Sequence, residues 1–376
     1  MVNRERMAEE FIELVKIDSL SLNEKQMAQV LKSKLEAMGY EAFEDDAGTK
    51  AGGNCGNIIC TVKGNMDVPA VLLMAHMDTV VPGTGKKPVV DGEYIRTDRT
   101  TVLGGDDLAG VECILETLRV LKEDKIDHGD IQIVFTMGEE VGLLGSKNLD
   151  YGRIYAKFAF IMDNGGPIGT VAVKAPSQNK IDAAVNGKSA HAGIEPEKGI
   201  SAIQIAAYAI SMMKLGRIDA ETTANIGIIS GGHATNIVCG RVELKAEARS
   251  LDEKKLEAQT QHMKQCLEQA AEKFGGSVEF KSELMYPAFK IGENDEIIGI
   301  LKKASEASGI ELRLEATGGG SDTNIVNGNG IQAVDVSIGM DKVHSVNEQI
   351  KIEDMAKAAE FLIAIIGKGM LQIKEK

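Results

Sequence analysis

The sequence lacks several features that would assign the protein to a class at once. Its five cysteines are scattered and form no Cys-x-x-Cys pair, which is typical of reduced thiols in a cytoplasmic protein. No apolar run approaches the roughly eighteen residues of a membrane-spanning helix, and the amino terminus has no signal-peptide pattern. Internal repeats and low-complexity segments are absent as well. We therefore expect a cytoplasmic, globular protein with no membrane partner.

Positive charge is also scarce. The chain has 42 lysines and arginines against 56 aspartates and glutamates, which gives a formal net charge of -14. A surface of this sign repels nucleic acid and anionic membranes, so neither is expected as a partner. The 376 residues exceed what one hydrophobic core usually serves, and this length predicts two domains.

Alternating strands and helices predict an α/β fold with a mainly parallel sheet. Residues 71–75 form a continuous apolar run, which is typical of a strand covered on both faces. Similar patterns predict strands at 57–62, 131–136, 158–162 and 332–337 and helices at 108–121, 296–307 and 352–366. Near the amino terminus, Ser21 and Glu24 match a capping box at the start of a helix.

The middle of the chain has a different pattern, which predicts two helices on one antiparallel sheet. The strands are predicted at 180–186, 225–229, 238–248 and 277–284, and the helices at 200–213 and 254–274. A separate α+β unit inserted into the first domain explains this change. We predict a discontinuous first domain of residues 1–175 and 288–376, and an inserted domain of residues 176–287.

Acidic residues and histidines follow the ends of apolar runs. The set comprises His76, Asp78, Asp106, Asp107, Glu139, Glu140, Asp163 and His344. Ionised carboxylates are costly to gather in one crevice unless a cation neutralises them, and histidine with carboxylate suits zinc or a neighbouring divalent metal. A pair of ions needs one carboxylate to bridge them. Glu139 and Glu140 point in different directions, so one can bind metal while the other stays free as a base.

Six motifs together resemble the aminoacylase and carboxypeptidase family of co-catalytic dizinc metallopeptidases, and within it the tripeptidase branch. In chain order they are AHMDTV (75–80), GDDLAG (105–110), GEEVG (138–142), MDNGG (162–166), SAHAG (189–193) and VHSVNE (343–348). The resemblance implies that the first domain is a catalytic dizinc-peptidase domain and that the inserted domain is a lid and dimerisation domain. It also implies metal-dependent hydrolysis of peptide bonds in short peptides.

The resemblance implies which residues hold the metal ions. His76 and Asp163 would hold one ion, Glu140 and His344 would hold the other, and Asp106 would bridge them. Two divalent ions are therefore expected. Zinc suits these ligands best, and manganese or cobalt would also be accepted.

Three acidic residues beside these ligands have other expected roles. Glu139 would be the general base, which takes a proton from the attacking water and returns it to the leaving amine. Asp78 would accept the other ring N–H of His76. Asp107, the neighbour of the bridging residue, is expected to cap the following helix rather than to bind metal.

Four residues are candidates for binding a short peptide substrate. By resemblance, His191 would donate to the tetrahedral oxyanion, and Asn236 would contact the substrate. Arg249 can pair with a substrate carboxylate through two parallel hydrogen bonds. Gly320 lies in a glycine-rich loop, which suits backbone contacts to substrate.

Three functions stay open at this point. The first is an aminopeptidase for short peptides, and the second is an N-acyl-amino-acid amidohydrolase or a dipeptidase with the same metal site. The third, a dimeric binding protein without catalysis, is disfavoured because Glu139 and every proposed ligand are present. The resemblance implies a homodimer through the inserted domain. A free sheet edge and the apolar stripe of helix 254–274 would offer a self-complementary surface, although packing on the domain's own sheet is the simpler explanation of the stripe.

Overall fold

The computed structural model of the chain describes residues 1–371, which form two units. The first unit consists of Met1–Val173, Lys290–Thr317 and the chain from Ser321 onward, and the second of Lys174–Phe289 with Gly318–Gly320. The sequence placed the boundaries near the same two junctions but did not predict that three glycines belong with the second unit. Among the described residues, no helix is long and apolar enough to cross a membrane.

Most of the elements that the sequence predicted are present, with ends that differ by a few residues. The strands are β1 (Ala42–Glu44), β2 (Ile58–Val62), β3 (Val71–His76), β4 (Pro88–Asp91), β5 (Tyr94–Thr97), β6 (Ile131–Thr136), β7 (Phe158–Asn164), β8 (Thr170–Ala175), β9 (Ser177–Asn186), β10 (Gly216–Arg217), β11 (Thr222–Gly231), β12 (Arg241–Ser250), β13 (Ser277–Tyr286), β14 (Phe289–Lys290), β15 (Arg313–Ala316), β16 (Gln332–Ser337), β17 (Met340–Asp341) and β18 (Gln349–Lys351). The helices are α1 (Arg4–Val15), α2 (Lys25–Ala37), α3 (Ala47–Ala51), α4 (Gly105–Glu123), α5 (Leu144–Asn148), α6 (Ala202–Met212), α7 (Glu253–Phe274), α8 (Glu296–Ser308), α9 (Asp322–Gly328) and α10 (Ile352–Ala364). The patterns missed the short elements, including β4, β5, β17 and β18, because so few residues carry no periodicity.

The largest sheet confirms the predicted α/β architecture. Its strand order is β1-β2-β6-β3-β7-β16-β8-β14, and β15 pairs with β8. β3 runs parallel to β6 and β7, and β7 runs parallel to β16. His76 at the end of β3 stands opposite Thr136 at the end of β6. The loops that follow these parallel strands therefore start at one edge of the sheet, where α/β sheets bind their ligands.

Burial explains the continuous apolar run at the centre of the sheet. All six residues of β3 are buried, and Leu72 and Met74 pack with Val134 and Ile161 in one core cluster. α4 packs against β3, and α1 and α10 pack against α4. Because neither face of β3 meets water, every position along it is apolar until the strand ends at His76.

The second unit is an antiparallel sheet with two helices. The strand order is β10-β11-β12-β9-β13, and α6 and α7 pack against the sheet and each other. Leu256, Met263 and Leu267 of α7 are buried in the clusters of this unit. The apolar stripe of α7 therefore packs on its own sheet, which is the simpler of the two explanations that the sequence offered.

The capping box predicted from Ser21 and Glu24 is wrong. α2 begins after Glu24, whose side chain makes no capping hydrogen bond, and the Lys25 N–H donates to Asn54 Oδ1 at 3.0 Å. The Ser21 hydroxyl instead donates to Asp78 Oδ2 at 2.6 Å, and Glu24 Oε1 accepts the backbone N–H groups of Leu22 and Gly138 at 2.8 and 2.9 Å. Both side chains thus hold the segment before α2 against the loops that follow β3 and β6.

Candidate active site

His76 is buried at the carboxyl end of β3, with 2% of its surface exposed. Its Nδ1 atom lies 2.9 Å from the backbone oxygen of Asp78 and 3.4 Å from the Oδ1 atom of the same residue. The carboxylate predicted to receive this N–H is therefore the more distant acceptor, and the backbone carbonyl is the nearer one. A carbonyl oxygen can only accept a hydrogen bond, so Nδ1 carries a proton and Nε2 faces the acidic residues.

The structure brings the five predicted metal ligands together around Asp106. Its Oδ1 atom lies 3.0 Å from His76 Nε2, and its Oδ2 atom lies 3.1 Å from His344 Nε2. Asp163 Oδ1 is 3.7 Å from His76 Nε2, and Glu140 Oε1 is 2.8 Å from His344 Nε2. Two ligands of one tetrahedral zinc ion, each bound at about 2.0–2.1 Å, stand about 3.3 Å apart. The observed separations bracket that value, so the donor atoms fit two ions that share Asp106.

The charge of the cluster points to the same conclusion. Burial raises the pKa of Asp163 and of Glu139 well above the usual values, and neighbouring carboxylates add to both shifts while His76 opposes them. Burial also acts to raise the pKa of Asp106, but hydrogen bonds from His344 and His76 bring it well below its usual value. Hydrogen bonds to Asp106 and Glu140 raise the pKa of His344 to about 10. Acids outnumber bases here, and divalent cations would relieve the deficit of positive charge.

Asp107 caps the following helix, as predicted. Its Oδ1 atom accepts the Gly110 N–H at 3.2 Å, and its Oδ2 atom accepts the backbone N–H of His76 at 3.0 Å. Asp106 and Asp107 themselves have non-helical backbone angles, so regular helix begins at Leu108. Asp107 lies within 4.8 Å of the donor atoms of His76 and Asp163. These two backbone contacts assign Asp107 to the cap, and we leave it out of the ligand set.

Asp78 orients the two adjacent glutamates after β6. It is fully buried, and its Oδ1 atom accepts the backbone N–H of Glu139 at 2.9 Å. Its Oδ2 atom accepts the backbone N–H of Glu140 at 3.2 Å and the Ser21 hydroxyl at 2.6 Å. One carboxylate thereby fixes the backbone from which Glu139 and Glu140 extend, while its backbone carbonyl fixes His76.

Two further buried acids support the site, and sequence reasoning assigned them no role. Asp335 Oδ1 accepts the backbone N–H of Asp163 at 3.1 Å, and its Oδ2 atom accepts the Ser321 hydroxyl at 2.8 Å. Asp322 Oδ2 accepts the Thr136 hydroxyl at 2.6 Å. A charged residue inside the apolar run of β16 was the signal for Asp335, because a buried acid needs partners.

Glu348 is a third acid that the sequence left without a role, although it ends one of the six motifs. It is 1% exposed. Its Oε2 atom accepts the N–H groups of Leu103 and Gly104 at 2.7 and 2.9 Å, and its Oε1 atom accepts the N–H of Asp106 at 3.0 Å. The loop that carries Asp106 is thus held from the carboxyl-terminal part of the chain.

Comparison with known proteins identifies the family. The model of peptidase family M20/M25/M40 matches residues 72–368. The chain belongs to this family. It is therefore a metallopeptidase, and the M20 family to which it belongs consists of dinuclear metal peptidases. The predicted assignment to a family of co-catalytic metallopeptidases is confirmed.

Three relatives of this M20 peptidase match almost its whole length. The uncharacterised protein YqjE of Bacillus subtilis strain 168 is 49% identical over 97% of this chain and 99% of its own. Aminopeptidase PepT from Bacillus cereus ATCC 10987 is 47% identical, with a TM-score of 0.91 over 98% of this chain and 99% of its own. A tripeptidase from Staphylococcus aureus subsp. aureus Mu50 is 42% identical, with a TM-score of 0.95 over 99% of this chain and 100% of its own.

The predicted substrate-binding residues of this M20 peptidase all lie in the second unit, and two of them occupy adjacent loops. His191 and Asn236 are both exposed. The Ala192 N–H donates to the Asn236 backbone oxygen at 2.9 Å, and His191 forms an isolated bridge with Ile237. The two loops that carry the candidate residues are therefore paired through their backbones.

Arg249 and Gly320 lie together elsewhere in the second unit. The Nε and Nη2 atoms of Arg249 each donate to one oxygen of Glu247 at 3.0 Å, and its Nη1 atom donates to the Gly318 backbone oxygen at 3.4 Å. One side of the guanidinium is thus occupied within the protein. A Cβ atom at Gly320 would stand 2.2 Å from the Tyr286 ring, so close packing alone requires glycine there.

Proposed function

We propose that the protein is a dizinc aminopeptidase that hydrolyses short peptides, tripeptides among them. The observation that carries the proposal is the placement of Asp106 between the Nε2 atoms of His76 and His344, at 3.0 and 3.1 Å. Two histidines with three carboxylates suit zinc, and manganese and cobalt accept the same ligands. Full-length similarity to a solved aminopeptidase and a solved tripeptidase supports the choice of substrate.

In this proposal His76 and Asp163 would hold one ion, Glu140 and His344 would hold the other, and Asp106 would serve both. Two divalent ions held there would lower the pKa of water and polarise a scissile carbonyl. The distances support both groups of ligands, because each histidine Nε2 atom lies within 3.7 Å of two carboxylate oxygens.

Glu139 is the proposed general base. It is 8% exposed, and its backbone N–H is fixed by Asp78. Burial raises its pKa well above the usual value, which brings a carboxyl group closer to the operating pH that general acid–base catalysis favours. A carboxylate oxygen of Glu139 takes a proton from the attacking water and then delivers it to the nitrogen of the leaving amine.

The test compares a free tripeptide with the same tripeptide acetylated at its amino terminus. The full-length protein is reconstituted in turn with zinc, manganese and cobalt, and hydrolysis of both compounds is followed. Cleavage of the free peptide alone is the expected result, since an aminopeptidase recognises the ammonium group. Turnover of only the acetylated compound would overturn the proposed substrate class and favour an N-acyl-amino-acid amidohydrolase.

We also propose a homodimer that forms through the second unit. β10 pairs with only two residues of β11, Thr223 and Ala224, so the outer edge of β11 beyond them has no partner strand among residues 1–371. Ile228 and Ile229 on β11 are 54% and 56% exposed. An exposed apolar edge can pair with the same edge of a second copy about a two-fold axis.

The dimer is tested by changing the exposed edge of β11. Ile229→Lys places a charge on it and should shift sedimentation at micromolar concentration from dimer to monomer. The control is Leu284→Lys on β13, the opposite edge strand, where Leu284 is similarly exposed. A wild-type protein that sediments only as a monomer would contradict the proposal.

We further propose a cytoplasmic location. All five cysteines are free and buried. Structural disulfides are rare in the cytoplasm, where thiols are kept reduced. Recovery of the protein from the culture medium rather than from the cytoplasmic fraction would contradict this location.

A further inference from the structure

His344 lies on a short turn of the first unit, and the position of its imidazole depends on what holds this turn in place. The turn joins β17 and β18, which pair with each other, and β18 pairs with β5. The His344 side chain is 51% exposed, and the contacts that hold it are with Asp106 and Glu140, both on other loops of the site. Its backbone φ is +59°, a left-handed conformation that is unfavourable for residues other than glycine. The turn therefore needs an anchor if His344 is to keep a fixed place.

Glu348 supplies that anchor at the end of the same turn. Its backbone N–H donates to the Ser345 oxygen at 3.1 Å, and the Ser345 hydroxyl donates to the Lys342 oxygen at 2.6 Å. The turn is thus closed by its own hydrogen bonds. Its last side chain, the buried Glu348 carboxylate, points away from the turn into the loop that carries Asp106.

The contacts of this carboxylate leave it little freedom. It accepts three backbone N–H groups of residues 103–106 at 2.7 to 3.0 Å. A Cβ atom at Gly105 would stand only 3.1 Å from Glu348 Oε1, so the carboxylate lies directly against the loop backbone. A displacement of Glu348 would therefore move the His344 turn and the Asp106 loop relative to each other.

We propose that Glu348 is a positioning residue of the metal centre, which sets the distance between the bridging carboxylate of Asp106 and the imidazole of His344. The inference rests on the proposed function, in which these two residues share one metal ion. Glu348 does not itself bind the ion. Its role is to hold the two ligands in place. The oxygen and nitrogen it aligns are Asp106 Oδ2 and His344 Nε2, 3.1 Å apart.

A simple structural cap is the alternative explanation of these contacts, and the length and number of acceptors of Glu348 disfavour it. Asparagine or serine would satisfy backbone donors without adding negative charge to a crowded site. Glutamate has the reach and the two oxygens needed to hold three donors from the neighbouring turn.

The main experiment measures zinc binding by the full-length chain after Glu348→Gln. The amide nitrogen of glutamine cannot accept a hydrogen bond, so at least one of the three backbone donors loses its partner. The metal-free protein is titrated with zinc in competition with a chromophoric chelator, and its fold is checked by circular dichroism. We expect at least one of the two zinc ions to bind about 10–100-fold more weakly, the range for residues that orient metal ligands. The KM of the reconstituted enzyme for peptide should stay near the wild-type value while kcat falls.

The matched control is Glu112→Gln. Glu112 is also fully buried on α4, and its ion-pair partner is Arg119 rather than a residue of the metal site. This variant should bind zinc as the wild type does. Asp106→Asn is the reference for a lost metal ligand, and it should weaken zinc binding at least as much as Glu348→Gln.

The outcomes separate the two proposals. A folded Glu348→Gln variant with wild-type zinc affinity would overturn the positioning role while leaving the proposed function intact. Equal zinc binding by the wild type and Asp106→Asn would instead refute the proposed metal site. If Glu348→Gln does not fold, Gly105→Ala decides, because its methyl group presses on Glu348 Oε1 without removing any hydrogen-bonding atom. Wild-type zinc affinity in folded Gly105→Ala would then overturn the proposal.

Discussion

The Oδ2 atom of Asp106 lies 3.1 Å from the Nε2 atom of His344. Asp106 precedes the second unit in the chain and His344 follows it. The two parts of the discontinuous first unit must therefore fold together before these atoms meet. The site is a product of the tertiary structure, and its function can be tested residue by residue.

Glu139→Gln should separate catalysis from metal binding. The variant keeps the shape of the side chain and changes none of the five proposed ligands, so it should bind both metal ions as the wild type does. Turnover of a tripeptide should fall by about two to four orders of magnitude, the usual contribution of a general base. Metal content after reconstitution and kcat are the two measurements. Turnover equal to that of the wild type would contradict the role of Glu139.

Asp78→Asn should weaken the site through the backbone of the two glutamates. Asparagine has only one accepting oxygen, so the N–H of Glu139 or Glu140 loses its partner, at a cost of about 1–3 kcal/mol in the free energy of unfolding. Metal affinity should fall about 10–100-fold. Urea unfolding and zinc calorimetry measure the two effects.

Ser21→Ala is the control for this change. It removes only the hydroxyl that donates to Asp78 Oδ2 and leaves both backbone contacts of that carboxylate in place. Its expected cost is about 1 kcal/mol in stability, with metal affinity unchanged. Equal metal affinity in Asp78→Asn and Ser21→Ala would contradict the role of Asp78.

Arg249→Lys should reveal whether this residue binds the carboxylate of the substrate. Glu247 and the Gly318 oxygen already accept from the guanidinium, so a substrate carboxylate would use the remaining N–H groups of Nη1 and Nη2. Loss of charge-assisted hydrogen bonds worth about 1.5–3 kcal/mol should raise KM about 10–100-fold for a tripeptide with a free carboxyl terminus. The KM for the same tripeptide amidated at that end should hardly change.

Arg241→Lys is the matched control, since Arg241 lies on the same strand, β12, and pairs with Glu279 on the protein surface. Its KM for both peptides should match that of the wild type. If both arginine variants shift KM equally, Arg249 does not recognise the carboxylate.

Lys86 should make stability depend on pH in the alkaline range. It is 4% exposed, and burial lowers its pKa to about 8, although Asp18 and Glu348 act in the opposite direction. An unfolded lysine has a pKa of about 10.4. Between these values the unfolded state binds more protons than the folded state, so stability rises with pH, by about 3 kcal/mol in total.

The measurement compares the wild type with Lys86→Met. The variant has no group that titrates at this position. Free energies of unfolding in urea, taken for both proteins in metal-free form at pH 7.5 and pH 10, should move in favour of the wild type as pH rises. A difference between the two proteins that is independent of pH would contradict the lowered pKa.

The proposed metal ligands could be named from sequence because they lie in recognisable motifs and the motifs resemble a known family. His76 ends a continuous apolar run, and Asp163 lies at the end of the next apolar strand of the sheet, β7. Glu348 and Asp335 were not predicted as supporting residues. Their partners are the backbone N–H groups of Asp106 and Asp163, which are remote in sequence. A backbone partner places no requirement on residue type, so the local sequence does not reveal it.

The sequence by itself determined the order of strands and helices, the insertion of a second unit and the acids that follow buried strands. Periodicity records which positions are buried, and burial is a local property of each element. Only the tertiary structure decided which groups pair. Ser21 bonds to Asp78 instead of capping its own helix, and Glu348 holds the loop of Asp106. Hydrogen-bond partners depend on which loops meet in space, and that follows from the packing of the whole sheet.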